Sequence, residues 1–514
     1  MVVYCLSFCS NPLIVSLLLS KIMDKQRILT LSTALLAFVI SAQAQNNTSV
    51  VSQTGTMQSS TVVQTGNASQ STILQLTGAA STPNTGNVAR TTQIAGAATV
   101  GDVNQAFVRQ IDGSDYNEAN ISQTAGSNNI ATIEQTGNAS FRSGGTQLRG
   151  SNPTTPSSAN AGNYAAISQA GAGNDQTSIF QNAGADGTSQ ANYARIRQVG
   201  DANLGTVIEQ NNLSLGNTAT IDQGVSNSAA TGNNAVVVQS DNSQLNQATV
   251  VQEGADKIAE VLQSAISDNN QASVTQLGVD GIAIVYQVNN SSYNQATVVQ
   301  TDMAGSGNQG TVNQTNQSSY NRANIEQAGS SSGALINQNE QSANNDALIR
   351  QGVGGQNNSA VITQTYAYDG ASAGASTASG SGNSATISQN QTTNSSVGNT
   401  AEIQQGFTGG LSTITGLSVV SDNNAASISQ ENDVNAANLL QGGIGNTATA
   451  TQNGFSTLQG VTPDPVLPNP ALQIGNNNVM TVIQTGSAGN PNVANISQIG
   501  NGNTATVGQT VPTP

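Results

Sequence analysis

Histidine and tryptophan are absent from the 514 residues, charged side chains make up 8% and aromatic ones 3%, and the two cysteines, Cys5 and Cys9, stand close to the start. Without histidine, neither a Ser-His nor a Cys-His nucleophile system can be built, and the usual zinc sites lose a principal ligand. So little aromatic bulk cannot fill several large globular cores, and so little charge does not hold a chain open by self-repulsion. Asp and Glu are scattered, and no pair of carboxylates stands out as a general acid and base. The Gly- and Asp-dense nonapeptide of calcium-binding solenoids is missing as well. One stretch, Gly305-Ser306-Gly307-Asn308-Gln309-Gly310, has the spacing of a dinucleotide fingerprint. It leads into Thr311-Val312-Asn313-Gln314, which reads as a strand where the fingerprint demands a helix. The expectation is a protein that is not an enzyme, with no cofactor and no metal site.

What the chain does have is one short phrase, repeated throughout: a small residue, any residue, a branched aliphatic, any residue, then Gln. It appears as Ala131-Thr132-Ile133-Glu134-Gln135, Ala219-Thr220-Ile221-Asp222-Gln223, Ala323-Asn324-Ile325-Glu326-Gln327 and Ala494-Asn495-Ile496-Ser497-Gln498. Alternate positions are restricted and those between are free, the period of two of a strand with one buried face. Met480 is the one large residue in the small position, and Thr91, Leu439 and Ala450 vary the aliphatic one. Within these arms, charges such as Arg109, Glu134, Arg195, Asp222, Glu260, Glu326 and Arg350 fall on the alternate face only. Because an unpaired buried charge is costly, the charge-free face is the predicted interior.

The Gln positions are evenly spaced. Steps of 11 alternate with steps near 13, so that every second Gln commonly lies 24 residues on, as in Gln252, Gln276 and Gln300. Two strands and two turns fit that length, and a fixed period of this size marks a solenoid. Asn precedes most arms by two residues, at Asn117, Asn192, Asn217, Asn246, Asn294, Asn321, Asn345, Asn399 and Asn503. Gly follows many, at Gly55, Gly66, Gly137, Gly200, Gly278, Gly329 and Gly500. Both suit tight turns, and stacking places amide above amide. The predicted fold is all-β: a two-sheet cross-β solenoid of strand-turn-strand repeats, roughly fifteen coils long. Irregular segments near 140–163, 366–384, 407–424 and 453–478 read as surface loops or as linkers between stacked blocks.

The first residues read differently. Lys25 and Arg27 precede an apolar run from Ile28 to Ile40 and a small-x-small pattern, Ser41-Ala42-Gln43-Ala44. This is the layout of an export signal, with a start at Met23 and cleavage after Ala44; the run is short for a membrane span. Removal of residues 1–44 leaves residues 45–514 with 9 basic and 26 acidic side chains, a net charge of −17, and no cysteine. Such a surface disfavours nucleic acid and anionic membranes, and no membrane insertion of the mature chain is expected.

Two segments carry a resemblance. Gln498-Ile499-Gly500-Asn501-Gly502-Asn503-Thr504-Ala505-Thr506-Val507-Gly508-Gln509 matches the curlin repeat, Q-x-G-x-x-N-x-A-x-x-x-Q, at every restricted place. Gln441-Gly442-Gly443-Ile444-Gly445-Asn446-Thr447-Ala448-Thr449-Ala450-Thr451-Gln452 does so too. The chain resembles the curlin subunits of bacterial curli fibres over nearly all of residues 45–514, with more repeats than familiar curlins. It departs at Lys257 and Gly281, where Asn is expected, and in having an arm at Ser49 in place of a separate export segment. The resemblance implies a secreted functional amyloid of Gram-negative bacteria. Such a protein leaves through an outer-membrane curli export channel and polymerises with itself or other curlins on a nucleator, as a pilus-like extracellular fibre of biofilm matrix and adhesion.

Candidate structural and polymerisation residues, implied by the resemblance of these two segments, are Gln441, Asn446, Gln452, Gln498, Gly500, Asn503, Ala505, Val507 and Gln509. The end coils are the expected polymerisation surfaces, because an uncovered coil presents unpaired main-chain groups to another chain. The alternative reading is a monomeric secreted solenoid that binds ice or a polysaccharide through an outer face. Thr218/Thr220, Thr447/Thr449 and Thr504/Thr506 motivate it.

Overall fold

The computed structural model describes residues 47–510 apart from 55–57, 67–68, 77–86, 96–102, 112–116, 137–161, 175, 183–190, 213, 225–230, 302–306, 340, 354, 366–380, 390–395, 407–420, 433, 460–469 and 488–490. The leader, Gly55, Gly137 and most of the four irregular segments lie outside the described residues. Every described arm is a strand, and all pair in parallel. Arms alternate between two sheets as the chain proceeds. One sheet, from Ser59–Thr65 to Thr504–Thr510, has 16 strands; the other, starting at Thr48–Gln53, has 19 because two of its arms are divided and the short turn strand Ser421–Asp422 joins it. Sixteen rungs stand close to the fifteen coils expected.

The register explains why the phrase repeats. Ala219 pairs with Ala248, Ile221 with Val250 and Gln223 with Gln252; the next rung repeats this with Ala272, Val274 and Gln276. Small sits on small, aliphatic on aliphatic and Gln on Gln, so the inward faces of the two sheets make a thin core of Ala, Val and Ile. A shift by one residue would expose all of them, and so the register is strongly specified.

Loops do not break the stack. Glu118–Gly126 pairs directly with Tyr164–Ala170, although residues 137–161 intervene. Asp346–Gln351 likewise pairs with Ser384–Gln389 across 366–380. These irregular segments are therefore not linkers between separate blocks.

The segment near 453–478 requires a correction, because it contributes to a sheet. Ser456–Gln459 and Ala471–Ile474 are two halves of one arm. Leu458 pairs with Ala437 in the small column, Ala471 with Leu439 in the aliphatic column, and Gln473 with Gln441. Large and small are exchanged between the two inward places, which conserves the volume the core must fill.

The turns impose their own demands. Gly475 has φ +115°, and a Cβ there would lie 2.0 Å from the carbonyl oxygen of Gly500 in the next coil. At this turn only glycine leaves room for so close an approach. The arms' inward face is charge-free, but one turn is not: Lys257 is fully buried in the place of the expected Asn. Its main-chain N–H donates to Asn233 Oδ1 at 3.2 Å, and its Nζ donates to the carbonyl oxygens of Gly278 and Ala255.

Candidate assembly surface

Two columns of glutamine run the length of the stack. In the 16-stranded sheet the column runs unbroken from Gln64 through Gln93, Gln252, Gln276 and Gln300 to Gln484 and Gln509; each Nε2 donates to the Oε1 of the next coil, as at Gln252 to Gln276 (2.9 Å) and Gln276 to Gln300 (2.8 Å). The other sheet does the same from Gln53 to Gln498. All these bonds point one way. Their direction is set by the remaining amide hydrogens: Gln287 Nε2 also donates to the main-chain oxygens of Gln271 and Asn294, both at 3.1 Å, in the opposite sheet. Those oxygens can only accept, so nitrogen must face them and Oε1 must receive the preceding rung. Each glutamine thus ties coil to coil and sheet to sheet.

Asparagine forms a third column along one edge. The main-chain N–H of each Asn donates to the Oδ1 of the Asn one coil earlier, as at Asn270 to Asn246 (2.8 Å) and Asn294 to Asn270 (2.9 Å). The amide nitrogen reaches a turn of the next coil, commonly a buried serine: Asn217 Nδ2 to Ser243 Oγ (2.9 Å), Asn321 Nδ2 to Ser342 Oγ (3.0 Å). These serines were missed in the sequence. Their signal was Ser-x-x-Asn, at Ser214/Asn217, Ser243/Asn246, Ser267/Asn270, Ser291/Asn294 and Ser318/Asn321. The opposite edge has no such unbroken column, for Lys257, Gly281, Ser332 and Ser456 take Asn's place there.

Six of the nine candidate residues fall into these columns. Gln441 passes through Gln473 to Gln498, Gln452 through Gln484 to Gln509, and Asn446 through Asn478 to Asn503. Gln441, Asn446 and Gln452 are thus interior rungs, enclosed on both sides. Gln498, Gly500, Asn503, Ala505, Val507 and Gln509 form the last described coil. There Ala505 and Val507, which are buried in equivalent places of earlier coils, remain half exposed. Gln498 Nε2 donates to Val479 O at 2.9 Å and Gln509 Nε2 to Val493 O at 3.0 Å. The second N–H of each is the one that every earlier rung passes to the coil that follows.

The outer face carries the charges in pairs between adjacent coils: Arg109 with Glu134 (3.3 Å), Arg195 with Asp222 (2.8 Å) and Arg350 with Glu326 (2.9 Å). Burial raises the Tyr286 phenol above its ordinary value, and its hydrogen bond to Glu260 Oε1 adds to that. The threonines do not form a plane: the column through Thr220 reads Arg195, Thr220, Thr249, Ser273, Thr297, Asn324, Leu348. Among the described residues, no group of three or more His, Cys, Asp or Glu could hold a metal ion. No family model matches the chain, and no curated protein matches it.

Proposed function

We propose that the chain is the structural subunit of an extracellular, curli-like amyloid fibre, extended by stacking the coils of one copy on those of the next. The observation that carries this reading is the pair of one-directional glutamine columns. A donor at one end and an acceptor at the other are complementary, so a second copy continues both columns head to tail with no change in either fold. Heterologous, non-closing contacts of this kind build filaments. The resemblance to curlins supplies the remaining parts: export through an outer-membrane channel, a nucleator, and a place in a surface matrix that serves adhesion. Residues 45–514, once purified, are expected to convert to fibres after a lag that preformed seeds shorten, with a cross-β spacing of about 4.7 Å. A chain that remains monomeric and fully β-structured at high concentration would overturn the proposal.

A further inference from the structure

Tyrosine occupies an unexpected place on one turn edge. In most described coils the turn residue two before an arm of the 16-stranded sheet is left-handed: Asn269 (φ 56°), Asn344 (φ 55°), Asn423 (φ 52°), Gly216, Gly382, Gly445 and Gly502, and also Ala191 (φ 54°) and Leu245 (φ 54°). Asn and Gly are the residues that accept this conformation at little cost. Yet two consecutive coils place Tyr293 (φ 56°) and Tyr320 (φ 53°) there. Neither is repaid by burial, for they are 51% and 59% exposed. The two rings are parallel within 2°, with centroids 4.9 Å apart. Rings in face-to-face contact would be about 3.5–4.0 Å apart, so these are slipped and each leaves part of a face uncovered.

Around them is a groove of about 490 Å³. Its second wall is the next column, at the first residue of each arm. Gln295 Nε2 donates there to Gln271 Oε1 at 3.1 Å, and Arg322 stands 4.0 Å from Asp346 in an exposed ion pair. Pairs so exposed are worth little, and their donors and acceptors can be turned to a ligand at small cost. The same column continues to a second stacked pair, Tyr164 and Tyr193, with centroids 5.0 Å apart. The intervening rungs carry Thr218, Gln247 and Gln271. Two aromatic pairs thus share one edge, about 19 Å apart at roughly 4.8 Å per rung, with hydroxyls and amides between them.

We infer that this edge binds a linear, uncharged polysaccharide lying along the stack axis. Exposed ring faces accept the flat C–H faces of pyranose rings, and amides, with two donors and two lone pairs each, match vicinal hydroxyls. The extent of the track fits a polymer, whereas a single small ligand would use one pair. A formal charge of −15 and Asp346 in the wall disfavour polyanions. A protein partner would require a continuous apolar centre, and here the aromatic pairs are separated by polar rungs.

The test uses the immobilised chain, whether monomeric or fibrous, with hydroxyethylcellulose as the probe and dextran sulfate as the charged comparison. Wild type is expected to bind hydroxyethylcellulose saturably, and dextran sulfate at least tenfold more weakly. The double variant Tyr293→Asn/Tyr320→Asn installs a residue that other coils carry at this turn, as at Asn269 and Asn344, so it should unfold no more easily than wild type. It should bind the probe at least tenfold more weakly while assembling at an unchanged rate, which separates this inference from the fibre reading. The inference is overturned by absent binding in wild type, by unchanged binding in the variant, or by a variant that loses only self-association between copies.

Discussion

Ile325 and Glu326 are adjacent in sequence and opposite in environment. Ile325 is fully buried in the aliphatic column, between Val298 and Ile349, while Glu326 lies on the outer face with Arg350 as its partner. Ile325→Asp places a carboxylate among aliphatic side chains with no cation to meet it, a cost of several kcal/mol that both adjoining coils share. Glu326→Gln removes one exposed ion pair, worth about 0–1 kcal/mol. Denaturant unfolding is expected to show a large loss for the first and little change for the second, and fibre growth should follow the same order. Equal losses would mean that the assignment of inner and outer faces is wrong. The alternation that separates these two neighbours was legible in the sequence, since a period of two is a local property that needs no knowledge of what stacks on what.

A turn is a larger unit, and its energetics depend on the coils to either side. Asp268 shows this: its carboxylate accepts the main-chain N–H of Gln244 at 3.0 Å in the preceding turn. Burial nevertheless raises its pKa above the ordinary value, outweighing the lowering by that hydrogen bond. A raised folded-state pKa means that the folded chain binds the proton more tightly than the unfolded chain does. The favourable contribution is therefore complete below the ordinary carboxylate pKa and is lost as pH rises through the raised one. Asp268→Asn keeps an acceptor for Gln244 and removes the cost of burying charge. It should be more stable than wild type at pH 7, with the difference vanishing near pH 3; chemical denaturation at both values checks this, and a difference independent of pH would refute it. Turns were the least legible elements. Asn and Gly marked their positions, but whether an Asn column is continuous depends on which arms share a sheet, and alternate arms do not. The divided arm escaped notice for a related reason: Leu458 and Ala471 are neighbours on the inward face but far apart in sequence, so no local period connects them. Tyr293 and Tyr320 likewise become a pair only when their coils are stacked.

At the scale of the whole molecule, the stack has a direction. Every glutamine column donates toward the C-terminal coils, and the interior rungs are held by amides on both sides. Gln276, for example, receives from Gln252 and donates to Gln300, while Gln287 receives from Gln263 and donates to Gln314. Gln498 and Gln509 receive from Gln473 and Gln484, and an incoming copy would take up their second N–H. Changing both to Ala removes these donors, and an acceptor left unsatisfied on burial costs about 1–3 kcal/mol. If the fibre grows on this coil, Gln498→Ala/Gln509→Ala should slow seeded elongation by about tenfold or more, a barrier increase of about 1.4 kcal/mol. The control is Ser497→Ala/Gly508→Ala on the same coil: Ser497 is exposed, and a Cβ at Gly508 would meet nothing within 4 Å. Gln276→Ala/Gln287→Ala tests the third position, where flanking coils keep the backbone in place; it should lower stability while affecting elongation less than the terminal pair does. Seeded growth rates for the three double variants decide between two pictures of the molecule. A terminal pair that behaves like its outward control would mean that the last described coil is not the growing surface.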